Sequence, residues 1–369
     1  MVRHPHGALN RPPSCDTGEK AHPNVAPRQR SAPSLQQTKS FGLSYFRESL
    51  RRCNISGKGA EIILAAWRPS TQRQYSVYLS KWVAFCGKRH CDTFQSSIPQ
   101  IIEFLTGLYQ DGFSYSAINS ARSMLSSILI TPRESGKEIL IKRFLKGVFE
   151  LRTPKPKYKT IWDVPIVLNY LKSLGSNDQL PLKVLTWKVV TLMALVSAQR
   201  CQTLHLLNID FMDKTPETIV SYVNRKVKQT RLGSLGVKLS ISKFRDDERL
   251  CVYSAVDTYL KTTEVLRTEK QLFVSHVKPH KAVSKETISK WIKKVLDASG
   301  LDTSIYQAHS TRAASTSAAF ERNLPLDIIL QTAGWANEQT FASFYKKEIM
   351  PMKCTTRFQD SILSSNTVK

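Results

Sequence analysis

The chain has 369 residues, which is enough for two domains of ordinary size, each with its own core. Its 54 basic and 29 acidic residues give a formal charge of +25, which favours nucleic acid as a partner over an anionic membrane surface. No apolar run approaches the ~18 residues that span a bilayer, and the first residues lack the apolar core of a secretory signal. We therefore expect a protein of the cytosolic or nuclear side with no membrane partner.

The spacing of metal-ligating residues argues against a metal cofactor or a disulfide framework. The seven cysteines are an odd number, are widely scattered and form no CxxC pair. Cys86, His90 and Cys91 look like half of a metal site, but a second ligand pair is missing. The sequence also has no GxxxxGK[ST] phosphate loop and no carboxylate cluster. We expect no cofactor, neither a metal nor a nucleotide.

The N-terminal residues have the composition of a disordered segment. Six prolines lie within residues 1–40 among serine, glutamine and basic side chains, with few large apolar residues to bury. We predict a disordered basic tail over residues 1–57.

Residues 58–152 carry the pattern of a small helical domain. Thr71 and Gln74 have capping-box spacing, and apolar residues follow them at helical intervals. Ser97 and Gln100 open a second helix in the same way, and two more helical stripes follow. Basic residues between the stripes either meet DNA phosphates or form solvated faces; the candidates for DNA binding are Arg73, Lys81 and Arg122.

Residues 153–164 interrupt the helical pattern with prolines and basic residues, so we place the domain boundary there. We predict a linker that passes close to DNA, with Lys155, Lys157 and Lys159 as contacts. Beyond it, residues 165–350 alternate helical patterns with two β-rich runs, Thr218–Val223 and Val237–Ile241. The expected fold class is mostly α with a small antiparallel β-sheet in the second domain, followed by a C-terminal tail over residues 351–369.

Five residues of the second domain form an ordered set that is more specific than any one of them alone. Arg200 ends an apolar helix, where a guanidinium needs an anionic partner. His309 and Arg312 are one helical turn apart, which places both on one face. Trp335 follows, and Tyr345 comes ten residues after it. Taken singly, each has an ordinary explanation: a salt bridge for the arginine, chance for the HxxR pattern, and core packing or surface exposure for the tyrosine.

In this order, the set resembles the tyrosine recombinase family, over about residues 65–350. The resemblance is nearest to the recombinases of eukaryotic DIRS-type and Ngaro-type retrotransposons, since Trp67 to Thr71 looks like their core-binding domain. It implies a helical, SAM-like core-binding domain followed by a mixed α/β catalytic domain. It also implies double-stranded DNA as the partner, a homo-tetramer on paired DNA sites, and a nuclear location.

The resemblance assigns a role to each residue of the site. Tyr345 corresponds to the nucleophile, and the phosphate would be bound by Arg200, Arg312, His309 and Trp335. The family's hairpin lysine, the general acid, falls on Lys228, with Lys226 as the rival. One position departs from the pattern: Thr203 stands where many relatives have an acidic residue that braces the arginines.

These residue types suit transesterification of a phosphodiester. Two guanidiniums match the charge that spreads over the non-bridging oxygens in the transition state. The phenol of a tyrosine has an unperturbed pKa of about 10, so a base or nearby cations must lower the cost of its anion. Attack leaves a 3′-phosphotyrosyl bond that stores the energy of the phosphodiester, so the reaction needs no ATP and no metal pair.

The sequence therefore predicts a site-specific recombinase or integrase that serves a mobile element. Two alternatives stay open. A type IB topoisomerase shares the chemistry, although the short two-domain layout favours recombination. A catalytically silent, domesticated DNA-binding protein would explain Thr203, but it would have no chemical need for the five site residues.

We expect duplex DNA binding with strong salt dependence, because the charge of +25 should release many counterions from DNA. The measurement is the dissociation constant on one duplex over a range of salt concentrations. An affinity that stays constant between low and moderately high salt would contradict the prediction.

Overall fold

The computed structural model describes residues 35–130, 137–154, 158–225 and 236–350. The chain forms two compact units, residues 1–155 and 156–369, and the division falls within the predicted linker. Among the described helices, none is long and apolar enough to cross a membrane.

The first unit is helical and packs around one core. Trp82 and Leu105 are fully buried at its centre, and the indole of Trp82 donates a hydrogen bond to the carbonyl of Thr93 at 3.0 Å. The elements of this unit are α1 (Leu35–Arg52), α2 (Gly57–Ala65), α3 (Pro69–Arg89), α4 (Ile98–Gln110), α5 (Tyr115–Ile128) and α6 (Lys137–Leu151).

The predicted helix starts hold for α4 and shift for α3. Ser97 and Gln100 form the expected capping box, with the Ser97 amide donating to Gln100 Oε1 at 2.8 Å. Helix α3 begins at Pro69, before Thr71, because a proline at the first helical position loses no intrahelical hydrogen bond.

The prediction of a disordered tail through residue 57 is wrong for Leu35–Arg52, which forms α1. Phe46 is 2 % exposed in the core of the first unit, and Ser49 donates to the carbonyl of Ile128 at 2.7 Å. Apolar residues at positions 43, 46 and 50 have helical spacing, so this segment can bury a face that the proline-rich residues before it lack.

The second unit combines helices with two small sheets. Its core surrounds the almost wholly buried helix α8, which explains the apolar composition of that helix. The elements are β1 (Thr160–Trp162), α7 (Val164–Ser173), α8 (Leu182–Ser197), α9 (Cys201–His205), β2 (Met212–Lys214), β3 (Thr218–Val223), β4 (Val237–Ser242), α10 (Val252–Thr263), α11 (Lys285–Ala298), α12 (Ser310–Glu321), α13 (Leu326–Ala333), α14 (Glu338–Phe344) and β5 (Glu348–Met350).

The predicted antiparallel sheet is confirmed. Strands β2, β3 and β4 lie in that order, and β3 pairs with β4 from Thr218 opposite Ser242 to Val223 opposite Val237. Both strands alternate buried and more exposed positions, as expected of a sheet with one face on the core. The connection between them contains residues 226–235, so Lys226 and Lys228 lie outside the described residues.

A second, parallel pair joins β1 to β5, and this pair corrects the predicted linker. Ile161 and Trp162 are buried in the core of the second unit, so residues 160–164 belong to that domain and not to a linker. Strand β5 begins three residues after Tyr345, and Ile349 is buried beside β1. The chain after Tyr345 therefore folds back on its own domain as far as Met350, while the predicted tail over residues 351–369 lies outside the described residues.

One buried hydrogen bond links this pair to α12. The indole of Trp162 donates to Ser310 Oγ at 2.9 Å, and both side chains are about 1 % exposed. We expect Trp162→Phe to lower the free energy of unfolding by about 1 kcal/mol more than Trp187→Phe. The Trp187 indole N–H is buried without a partner in the part of the chain that the structure describes, so its loss breaks no hydrogen bond there. Equal losses in chemical denaturation would contradict the prediction.

Candidate active site

Arg312 lies at the centre of the site and is held by main-chain oxygens. It is 1 % exposed on α12. Its Nη1 donates to the carbonyl of Ala198 at 2.8 Å, and its Nη2 donates to the carbonyl of Ala333 at 2.6 Å. Its Nε is buried without a hydrogen-bond partner among the described residues. The guanidinium is thus fixed by two of its nitrogens and keeps a third N–H for a ligand.

Burial is the main influence on the charge of Arg312. It lowers the pKa of this guanidinium to about 10, with a further decrease from the positive charge of Arg200 and an opposing effect from Tyr345. The side chain therefore stays protonated at neutral pH. Within the described ranges, no carboxylate forms an ion pair with either arginine, so a buried positive charge is left to attract an anion.

A tight turn between α8 and α9 supplies both the Ala198 carbonyl and Arg200. Ala198 has a left-handed backbone with φ +48°, a conformation that a residue with a Cβ adopts at a cost of about 1–3 kcal/mol. The hydrogen bond from Arg312 offsets part of this cost. The neighbouring Gln199 side chain donates to the carbonyl of Thr332 at 2.7 Å, which ties the turn to the end of α13.

Arg200 follows this turn as the N-cap of α9 and is partly buried. Its Nη1 is buried and has no partner in the described structure. Thr203 is 1 % exposed, and its amide donates to the Arg200 carbonyl at 2.8 Å. The site therefore has no acidic brace at position 203. Main-chain carbonyls hold Arg312 instead, and Arg200 Nη1 keeps an unpaired donor among the described residues.

Tyr345 lies against three of the predicted site residues. Its hydroxyl is 3.2 Å from Nε2 of His309, within hydrogen-bond distance. Its ring centroid is 4.4 Å from that of Trp335 and 5.3 Å from Cζ of Arg312. Arg312 Cζ also lies 4.5 Å from the Trp335 ring. The structure therefore brings together Arg200, His309, Arg312, Trp335 and Tyr345, which are far apart in the sequence.

The indole of Trp335 is buried, and its Nε1 has no hydrogen-bond partner among the residues that the structure describes. It packs in a small cluster with Phe341 and contacts both Arg312 and Tyr345. The ring can therefore contribute both packing and one N–H donor, and its predicted role in phosphate binding stays a prediction.

Ser317 fixes the backbone of Tyr345, and the sequence alone did not indicate this role. This buried serine lies on α12 with Arg312. Its hydroxyl donates to the carbonyl of Tyr345 at 2.8 Å and accepts from the amide of Lys347 at 3.0 Å.

The phenol of Tyr158 is a second neighbour of Tyr345 that the sequence did not indicate. Burial raises the pKa of Tyr158, and nearby Tyr345 adds to this effect. Neither Ser317 nor Tyr158 has a local sequence signal, because both act through contacts distant in the chain.

The remaining predicted residues belong to the first unit, to the start of the second unit at Lys159, or to segments outside the described residues. Lys228 and its rival Lys226, and the linker residues Lys155 and Lys157, lie outside them. In the first unit, Arg73 and Lys81 are exposed on α3, and Lys81 lies 5.0 Å from the centre of the Phe113 ring. Arg122 on α5 is partly buried and donates to Asn119 at 3.0 Å, and Lys159 is exposed in the second unit. Their predicted role in DNA binding stays a prediction.

Comparison with solved structures identifies the fold. A structure of XerH site-specific recombinase, bound to a palindromic difH substrate in a post-cleavage complex, matches with a TM-score of 0.53, 15 % identity and coverage of 82 % of this chain and 84 % of that one. The Tn1549 transposon integrase, in complex with transposon right end DNA, matches with a TM-score of 0.53, 13 % identity and coverage of 88 % and 99 %. This chain has the tyrosine recombinase fold. No protein-family model and no curated protein matches the sequence.

The family resemblance implies that Tyr345 is a nucleophile for DNA cleavage, and on that assignment we expect Ser317→Ala to slow single-turnover cleavage by about tenfold or more, because small displacements of a nucleophile cost large factors in rate. Ser315→Ala is the matched control, since Ser315 lies on the same helix and donates to the Thr311 carbonyl of that helix at 2.9 Å. DNA affinity should stay near that of the unmodified protein in both variants, whereas Ser317→Ala should lower the free energy of unfolding by about 1–3 kcal/mol through its two lost hydrogen bonds. A Ser317→Ala variant that cleaves as fast as Ser315→Ala would contradict the positioning role.

Proposed function

We propose that the protein is a site-specific DNA recombinase that cuts and rejoins strands through a covalent 3′-phosphotyrosyl intermediate on Tyr345. One observation carries the proposal. Three N–H groups of the site are buried without partners among the described residues: Arg200 Nη1, Arg312 Nε and Trp335 Nε1. A buried donor left unpaired costs about 1–3 kcal/mol, which a bound phosphate would recover.

The same donors suit the transition state better than the ground state. As the phosphate becomes pentavalent, negative charge accumulates on its non-bridging oxygens. The Arg312 guanidinium is already fixed by the carbonyls of Ala198 and Ala333, so little reorganisation is needed when that charge develops. Removal of one such donor commonly costs about 2.7–4 kcal/mol of transition-state stabilisation in comparable sites.

The proposed step begins at the contact between Tyr345 and His309. The phenol proton passes to Nε2 of His309, or to solvent through it, while the phenolate oxygen forms a bond to phosphorus. The bond from phosphorus to the 5′-oxygen breaks, and that oxygen takes up a proton. We propose Lys228 as the donor of this proton, with Lys226 as the alternative. Rejoining is the reverse reaction, with a 5′-hydroxyl as the attacking group.

Duplex DNA is the proposed substrate. The charge of +25 and the basic side chains on α3 and α5 support a polyanionic partner. Both matching structures contain a DNA substrate or transposon end, which is a property of those proteins. We further propose that the protein integrates a mobile element of the DIRS or Ngaro kind and acts in the nucleus. We also propose a homo-tetramer on paired sites, since exchange between two duplexes requires four cuts with one tyrosine for each.

A catalytically silent DNA-binding protein is the second candidate, and Thr203 is the observation that favours it. Without an acidic residue at this position, Arg200 Nη1 has no brace in the described structure. The contact of Tyr345 with His309 and the fixed geometry of Arg312 favour the active enzyme instead. Topoisomerase activity would use the same step without requiring a second DNA site.

We expect the purified protein to form a covalent adduct with a nicked suicide DNA substrate, and to do so equally well in EDTA. The measurement is a denaturing gel followed by mass analysis of the attached peptide. Tyr345→Phe should abolish the adduct, whereas Tyr306→Phe, which removes the hydroxyl of another partly buried tyrosine of the same domain, should retain it. Loss of the adduct in EDTA, or an adduct on another residue, would refute the mechanism.

A further inference from the structure

A positively charged groove adjoins the candidate active site. A groove of about 470 Å³ lies between α9 and α11 and opens beside the reacting residues. Arg200 and His309 belong both to the groove and to the site around Tyr345. The full lining is Arg200, Cys201, Gln202, Lys285, Glu286, Ser289, Lys290 and His309.

The charge of the groove is positive. Arg200, Lys285 and Lys290 contribute three positive charges, and Glu286 contributes one negative charge, which leaves +2 with His309 neutral. Glu286 lies 3.5 Å from Lys285 and offsets mainly that residue. Lys290 is exposed, and within the described ranges no carboxylate lies within ion-pair distance of it. Lys290 is therefore the cation of the groove that is most available to a ligand.

The position of α11 strengthens the attraction for an anion. Lys285 and Glu286 lie in the first turn of this 14-residue helix, where the helix dipole places partial positive charge, and Ser289 and Lys290 follow in the second turn. Cys201 adds no nucleophile, because burial raises the pKa of its thiol to about 11 and keeps it neutral. The groove is thus built to bind an anion and not to form a bond with it.

We propose that this groove binds the DNA backbone phosphate next to the one that Tyr345 attacks, with Lys290 as the principal contact and Lys285 as the second. The inference rests on the proposed function, because Arg200 would bind the attacked phosphate. Each strand of duplex DNA carries one phosphate per ~3.4 Å of helix axis, so a strand seated on Arg200 places its next phosphate close by. A groove that shares Arg200 with the site is where that phosphate would lie.

The contact is to the backbone, so it fixes the register of the strand and carries no base specificity. Lys290→Ala should therefore slow adduct formation about tenfold on every target sequence, the order expected for loss of a charge-assisted hydrogen bond. Lys294→Ala is the matched control, because Lys294 is exposed on the same helix and does not line the groove. Lys290→Arg should keep most of the activity.

The decisive experiment combines these variants with a suicide substrate in which one phosphate beside the cleaved position is replaced by an uncharged methylphosphonate, tested on each side. On one of the two substrates, the unmodified protein should slow to the rate of Lys290→Ala, and Lys290→Ala should slow no further. The Lys294→Ala variant should behave like the unmodified protein on every substrate. If Lys290→Ala matches the unmodified protein on the normal substrate, or loses a further tenfold on both modified ones, the groove proposal is wrong.

Binding data separate this proposal from the proposed function. If the unmodified protein forms no adduct, the recombinase mechanism fails, while the groove can still be tested through single-site DNA affinity. In that arm, Lys290→Ala should reduce the slope of log affinity against log salt by about 1, and Lys294→Ala should reduce it less. Equal slopes for the two variants, each with an unchanged melting temperature, would overturn the groove proposal without reference to catalysis.

Discussion

The site depends on how a buried guanidinium is held without a full negative charge. Arg312 meets the carbonyls of Ala198 and Ala333, which lie at the C-terminal ends of α8 and α13. Helix C-termini carry partial negative charge, so these oxygens stabilise the cation without neutralising it. Both helices end in a left-handed residue, Ala198 and Gly334. The backbone turns that stop the two helices are therefore part of the same arrangement that fixes Arg312.

This arrangement also explains how a site with threonine at position 203 keeps its geometry. A carboxylate brace would orient an arginine and cancel much of its charge at the same time. Carbonyl oxygens do the first and only a fraction of the second, so the site retains more positive potential for a phosphate. The cost is the lower pKa of Arg312, which burial and the neighbouring Arg200 cause together. That cost is tolerable because the guanidinium remains protonated at neutral pH.

The sequence predicted those parts of the fold that depend on local patterns. The run Thr218–Val223 alternates in burial, and the strand has these bounds in the structure. Arg200, His309, Arg312, Trp335 and Tyr345 were identified because their order and spacing survive as a linear pattern, and the structure brings them together. Helix α1 was missed because its apolar residues follow a proline-rich segment whose composition dominated the interpretation.

The supporting contacts could not be predicted in the same way. Alanine rarely adopts a left-handed conformation, so the sequence does not predict the turn at Ala198 that directs its carbonyl to Arg312. Gln199 and Ser317 are ordinary polar residues in the sequence, and their partners, Thr332 and Tyr345, lie far along the chain. Such contacts arise from tertiary packing, which cannot be predicted from the local pattern of a single sequence.

The anchoring of the chain around Tyr345 would have a mechanical consequence for the proposed strand exchange. Ser317 holds the backbone at the tyrosine, and β5 is hydrogen-bonded to β1 a few residues later. A DNA end bonded to Tyr345 in the proposed intermediate would thus be held to the domain core at the attachment point and just after it. The released 5′ end would have no covalent bond to the protein. In the proposed reaction, exchange between duplexes would then move the free 5′ ends between tyrosines whose backbones are held in place.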